Sequence, residues 1–186
     1  MPFIDVIQPE EAEGELKEIY EDLIEKRGKL AEVHKIQSLN PESITRHMDL
    51  YMTLLFGKSP LKRYRREMMA VVVSSANDCE YCQLHHGEAL NHYWKNDDKV
   101  AKLRKDYREA ELSGVDKLLC ELAWDLTKTP SKIDEARVER LKQAELSDRA
   151  ILDATLIISY FNFVNRVVMG LGVDVDPEEI GGYRYE

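Results

Sequence analysis

Two cysteines and a histidine, Cys79-x-x-Cys82-x-x-x-His86, carry the clearest chemical signal in the sequence. On a helix, at about 100° per residue, the three fall within roughly 60° of one another and His86 projects between the two sulfurs. His85 sits further round the helix. A thiol peroxidase needs this arrangement. Thiolate is the attacking species, and both a helix N-terminus and a neighbouring imidazole lower the sulfur's pKa. Attack on a peroxide leaves a sulfenic acid, which a cysteine one turn away condenses to a disulfide. An acidic residue then serves to orient the imidazole or take its proton. Zinc is the rival reading: Cys79, Cys82 and His86 supply three ligands, and a fourth would come from His85, His47, His92 or a carboxylate, none at a recognisable spacing.

The elements that must present these groups read as helices joined by short turns, so the expected fold class is all-α, a multihelical bundle. Asn77-Asp78 breaks the chain just before the cysteines, and a helix over about 79–94 then holds the pair in its first turn, where the dipole acts most strongly. Ser59-Pro60 marks the start of the preceding helix, which runs through Tyr64, Met68, Val71 and Val72 toward Ala76 and carries Glu67. Glu67 reads equally well as a functional acid and as a surface ion pair with Arg63. Asn40-Pro41 is a helix start of the same kind. The first helix is expected from near Pro9, with Glu10, Glu11 and Glu13 in its opening turns and Gly28 at its end. Ser113 and Ser147 cap helices over Gly114–Lys128 and Asp148–Gly170, the latter apolar nearly all round and expected to be central. Phe3-Ile4-Asp5-Val6-Ile7 is the one strand candidate, and the tail after Gly172 reads as a turn followed by an extended end. A faint internal echo sets Asn162 and Asn165 opposite Cys79 and Cys82. It hints at two pseudo-symmetric halves, about 40–110 and 111–172, within a single domain spanning 1–186.

The chain has 186 residues, enough for one domain with a sizeable core. Its 35 acidic and 26 basic side chains give a formal charge of -9, which argues against nucleic acid as a partner. The apolar stretch near 151–169 is broken by Asp153, Asn162, Asn165 and Arg166, so no membrane span is expected. Met1-Pro2-Phe3-Ile4-Asp5 lacks the form of a signal peptide. A cytoplasmic protein with reduced thiols is therefore expected. Three cysteines are too few for a disulfide scaffold. Cys120 reads as a small buried hydrophobe. His34 and His47 read as surface or packing residues, and Trp94, Trp124 and Tyr160-Phe161 as core. No phosphate-cradling glycine motif or haem-ligand signature is present, so no cofactor is implied.

The motif from Glu67, in Arg65-Arg66-Glu67-Met68-Met69-Ala70-Val71, to Cys79, Cys82 and His86 resembles the AhpD-like alkyl hydroperoxidases of the carboxymuconolactone decarboxylase superfamily. The opening Pro9-Glu10-Glu11-Ala12-Glu13-Gly14-Glu15-Leu16 and the late Tyr160-Phe161-Asn162-Phe163-Val164-Asn165-Arg166 are similar to its peroxidase-related branch. The resemblance implies an all-helical homo-oligomer that reduces hydrogen or organic hydroperoxides. It makes Cys82 the peroxidatic cysteine, Cys79 the resolving one, and His86 the proton carrier between Glu67 and Cys82. Helix-dipole reasoning alone favours Cys79 as the more acidic thiol. The implied reductant is a thiol or lipoyl partner, with a peroxiredoxin as a further partner. A disulfide reductase or thiol carrier, or a zinc-binding oligomeric protein, is the alternative. Tyr81 stands where members of the family have a second histidine, and a phenol with pKa near 10 cannot replace a neutral-pH imidazole.

Overall fold

The computed structural model describes residues 1–183, and among them the chain is helical with no strand. The helices are α1 (Gly14–Arg27), α2 (Glu32–Lys35), α3 (Pro41–Tyr51), α4 (Arg63–Ala76), α5 (Glu80–Trp94), α6 (Asp97–Lys105), α7 (Gly114–Lys128), α8 (Glu135–Gln143) and α9 (Asp148–Gly170). α4 is the hub: it packs on α5, α7 and α9, and Met68 through Val73 are all buried there. A second, smaller core joins Leu16, Tyr20 and Leu23 of α1 to Ile44 and Met48 of α3.

Several expected boundaries hold for the expected reasons. Ser113 and Ser147 accept from the backbone N–H groups of Asp116 and Ala150, as N-caps do. Gly28 ends α1 at φ 85°, a left-handed position that favours glycine. Two starts were placed too early. Residues 9–12 form a separate turn, and Gly14 at φ 52° divides it from α1, so no helix runs on from Pro9. Ser59 does not cap α4; its hydroxyl accepts from the N–H of Leu61 in a local turn, and the helix begins at Arg63. The strand candidate at 3–7 is an irregular arm, tied by the Phe3 N–H to the Leu171 carbonyl and by the Ile7 N–H to Ser38 Oγ.

α9 is central, but one stripe of it, Leu152, Leu156 and Phe163, is exposed. Its length and composition alone would permit a membrane crossing, with a mean hydropathy of 1.3 and 56% of that stretch buried. Here Asp153 and Asn165 are buried in it with polar partners, Arg149 for the first and Asn77 and Ser74 for the second. The tail forms a turn near 177–179 and continues through 180–183 without regular structure, and the rest of the extended end expected there lies outside the described residues.

Candidate active site

α4 and α5 form a hairpin that brings the acid, the base and the two sulfurs together. Asn77 and Asp78 make the reversal, with Asp78 at φ 59°, a left-handed position that aspartate tolerates better than most residues. The Cys79 N–H donates to the Ser74 carbonyl at 2.9 Å, closing the turn. Cys79 is thereby the N-cap of α5 and Cys82 sits in its first turn, each almost fully buried and neither bridged.

Three near-consecutive arginines on α4 have three different roles. Arg66 is buried and donates to the carbonyls of Leu54, Leu55, Gly57 and Leu61. These carbonyls lie in and after the π-helical turn Met52–Phe56, so Arg66 pins the connection that leads into α4. Arg65 bonds Asp116 at 2.7 Å and ties α4 to α7. Arg63 pairs with Glu67 at 2.5 Å and lies over the Phe56 ring at 4.2 Å. Glu67 is 0% exposed, so the surface ion pair anticipated for it is in fact a buried one.

The other oxygen of Glu67 accepts from His86 Nδ1 at 2.7 Å. Burial pushes the Glu67 carboxyl up, but Arg63 and then His86 outweigh it and hold it below its ordinary value. An ionised carboxylate can only accept, so Nδ1 of the neutral imidazole carries the proton and Nε2 is left as a base. His86 is further fixed by edge-on contact with Phe161, with ring centroids 4.4 Å apart.

The two thiols share a hydrogen bond. The Cys82 thiol donates to Cys79, which also receives the Cys82 backbone N–H, and this holds the Cys79 thiol below its ordinary value. The same bond, together with burial, pushes the Cys82 thiol well up, while a hydrogen bond with Asn165 acts the other way. The direction agrees with the helix-dipole argument for Cys79. The sulfurs face different spaces. Cys82 and His86 line a partly open cavity of about 90 Å³, walled by His34, His47, Tyr51, Tyr160 and Phe161 among others. Cys79 lines a shallow depression beneath Met1, Phe3 and Val173.

Much of this wall was read from sequence as packing. His47 is the clearest case. Gln37 Nε2 donates to the Val33 carbonyl at 2.7 Å and to His47 Nδ1 at 2.8 Å, so the amide orientation is fixed by an acceptor that cannot donate. His47 therefore carries its proton on Nε2 and donates it to the Tyr160 hydroxyl at 2.6 Å. The Tyr160 proton has no acceptor among the described residues and is free for a ligand. Burial lowers the pKa of His34 to about 3 and those of His47 and His85 to about 4, so all three are neutral at pH 7.

Tyr81 also has a defined place. Its hydroxyl accepts from the Val33 N–H at 3.3 Å and donates to Glu179 Oε1 at 2.7 Å, and its ring lies 4.2 Å from that of His85. Glu179 accepts in addition from the Glu32 N–H and from Tyr183. Burial raises the Glu179 carboxyl above its ordinary value despite these bonds. No local pattern flagged Glu179, which arrives from the tail. Cys120 is fully buried, and burial pushes its thiol well up, as suits a packing residue. Among the described residues no three metal-ligand side chains converge on one point.

A family model for the carboxymuconolactone decarboxylase family matches residues 41–105, the stretch holding Glu67, both cysteines and His86. An uncharacterised peroxidase-related protein from Silicibacter sp. TM1040 is 31% identical, with a TM-score of 0.84 over 98% of this chain and 93% of that one. The chain belongs to the AhpD/carboxymuconolactone decarboxylase superfamily. Two more distant solved structures share the superfamily's fold with it. One is an alkylhydroperoxidase AhpD core, peroxidase-related protein from Ralstonia eutropha JMP134, 21% identical, with a TM-score of 0.86 over 95% of this chain and 93% of that one. The other is the debrominase Bmp8, as a C82A variant in complex with 2,3,4-tribromopyrrole, 17% identical, with a TM-score of 0.78 over 96% and 97%. No curated protein matches the sequence. Members of this superfamily are enzymes, and the all-α architecture expected from the sequence is the one found.

Proposed function

We propose that the protein is a dithiol peroxidase that reduces hydroperoxides at Cys82 and resolves the product with Cys79. The observation that carries this reading is the chain Arg63–Glu67–His86, which ends at the cavity that Cys82 also lines. Of the pair, Cys79 is the more acidic thiol and Cys82 holds its proton more tightly. Cys82 thus needs a base before it can attack, and His86 is that base, with Glu67 stabilising the imidazolium that forms.

Attack of the Cys82 sulfur on the distal oxygen of R–O–O–H forms an S–O bond and breaks the O–O bond. The products are Cys82 sulfenic acid and an alkoxide, and the proton held by His86 converts the alkoxide to an alcohol. The Tyr160 hydroxyl, held by His47, donates a hydrogen bond to the departing oxygen as its charge develops. Cys79 then attacks the Cys82 sulfur, its thiol proton passing to the departing hydroxide as water, and an S–S bond replaces the S–O bond. In sum, two thiols and one hydroperoxide give one disulfide, one alcohol and one water. An external dithiol or lipoyl group must restore the reduced pair.

The test is rapid mixing of fully reduced protein with hydrogen peroxide and cumene hydroperoxide, followed by intact mass. Oxidation much faster than that of a free thiol, with a loss of two hydrogens that Cys82→Ser abolishes, is expected. Oxidation at free-thiol speed would end the proposal.

A second reading is favoured by the aromatic wall of Tyr51, Tyr160 and Phe161 and by the likeness to Bmp8. It is two-electron reduction of a halogenated aromatic, in which a thiolate takes the halogen, the ring carbon takes a proton, and the second thiol releases halide as the disulfide forms. Bromide release from a bromopyrrole by the reduced protein tests it, and its absence excludes it.

A further inference from the structure

One charge at the cavity has no partner. Arg63 is matched by Glu67. Lys29 donates to the Glu178 carbonyl at 2.7 Å from an exposed position. The three histidines of the wall with lowered pKa values, His34, His47 and His85, are neutral. Arg27, in the last turn of α1, is only 8% exposed, yet no carboxylate pairs with it among the described residues. Among the described residues its one hydrogen bond is to the Tyr51 hydroxyl at 3.4 Å. The guanidinium lies 4.8 Å from the Phe56 ring centroid and 5.4 Å from that of Tyr51, contacts that orient it without cancelling its charge.

Of the acids that line the outer groove between α1 and α3 beside Arg27, Asp22 pairs with Lys26 at 2.7 Å and Asp49 with Arg46 at 3.8 Å, and among the described residues neither Glu15 nor Glu18 forms an ion pair with Arg27. Burying a cation without a counter-ion is costly, and a fold gains nothing from it unless an anion arrives. Arginine is also the side chain best matched to a carboxylate, through two parallel N–H bonds.

We infer that Arg27 is an anion subsite of the Cys82 cavity, and that the ligand is a hydrophobic carboxylic acid. Its carboxylate sits against Arg27, its apolar or aryl body crosses Tyr51, Tyr160 and Phe161, and its reactive end reaches Cys82. Resting on the peroxidase reading, this makes the substrate a carboxylate-bearing organic hydroperoxide.

Binding can be measured without the chemistry. Reduced protein is titrated calorimetrically with 4-isopropylbenzoate and with its uncharged methyl ester. The acid is expected to bind at least tenfold more tightly than the ester. Arg27→Gln abolishes that preference, while Arg27→Lys, which keeps the charge but loses the fork, retains part of it. Circular dichroism confirms that each variant is folded. Equal affinity for acid and ester, or a preference that survives in folded Arg27→Gln, overturns the inference. A kinetic arm compares cumene hydroperoxide with its 4-carboxylate. A kcat/KM ratio favouring the carboxylate in wild type and falling tenfold or more in Arg27→Gln supports it, and an unchanged ratio counts against it. Should the acid bind through Arg27 while neither hydroperoxide reacts, the subsite stands and the peroxidase reading falls.

Discussion

Replacing Glu67 by glutamine removes one charge from a buried row of three groups and leaves its shape intact. The amide oxygen can still accept from His86 Nδ1, now 2.7 Å from the carboxylate, so the tautomer with a free Nε2 is kept. What is lost is the ionic partner of the imidazolium that forms when His86 takes the Cys82 proton. A hydrogen bond to a charged group is worth about 1.5–3 kcal/mol, against about 1 for a neutral pair. With about 1–2 kcal/mol of that difference lost at this buried carboxylate, the oxidation rate should fall about 5- to 30-fold, at about 1.4 kcal/mol per decade. Stability should fall too, because Arg63 is left as a buried cation whose partner stood 2.5 Å away. The two effects separate in the double variant Arg63→Met/Glu67→Gln, which removes the orphaned cation and should recover stability without recovering rate. The assay is the pseudo-first-order rate of disulfide formation with cumene hydroperoxide, by quenched-flow mass spectrometry, beside urea unfolding of each variant. A Glu67→Gln rate within threefold of wild type, or a rate restored in the double variant, would refute the relay. The carboxylate would then serve only to neutralise Arg63.

The cysteine assignment predicts that Cys79→Ser accumulates sulfenic acid at Cys82, trapped by dimedone, while Cys82→Ser forms none on the same timescale; adduct at Cys79 in Cys82→Ser would reverse the roles. Tyr160→Phe should slow cumene hydroperoxide about 10- to 100-fold, the loss of one hydrogen bond to developing charge. Peracetic acid, whose leaving acetate needs little help, should be slowed much less in that variant, and equal slowing of both oxidants would make Tyr160 merely structural. The neutral histidines make stability depend on pH. His47 and His85 titrate at about 4 in the folded state and at the ordinary value of 6.5 when unfolded, so the unfolded chain binds more protons between those values. Their contribution is fully present above about pH 6.5 and is lost as pH falls toward 4. Each should account for about 1–2 kcal/mol at pH 5 by linkage. Urea unfolding at pH 7.5 and 5.0 should show this loss, with a smaller difference in His47→Gln; a pH-independent midpoint would contradict the burial argument.

The grouping of the candidate site residues was legible in the sequence because it is local. Glu67 lies on one helix and Cys82 and His86 on the next, whose N-cap is Cys79, so a short stretch of sequence places all four; the helical period does not show that Cys79 lines a different space from Cys82 and His86. Caps were legible for the same reason, since Ser113 and Ser147 bond only three residues ahead. The cavity wall was not legible. His34 and His47 come from α2 and α3, Tyr160 from α9 and Glu179 from the tail, and only tertiary packing brings them to Cys82. Ser59-Pro60 misled because the long reach of Arg66 claims the nearby carbonyls of Gly57 and Leu61, which no local rule anticipates.

The division of labour between the α4–α5 hairpin and its surroundings has an evolutionary consequence. The acid, the base and both sulfurs proposed to do the chemistry lie between Arg63 and His86, on one contiguous stretch of chain. Much of what shapes the space around it, including Arg27, His47, Tyr160 and Glu179, comes from segments remote in sequence. Selection can therefore redraw what the cavity admits through substitutions that leave the thiol chemistry untouched. An ancestral hairpin of this kind could have been handed from one oxidised substrate to another by changes in α1–α3, α9 and the tail alone. Relatives that differ in those walls while keeping the hairpin are where new specificities should be sought.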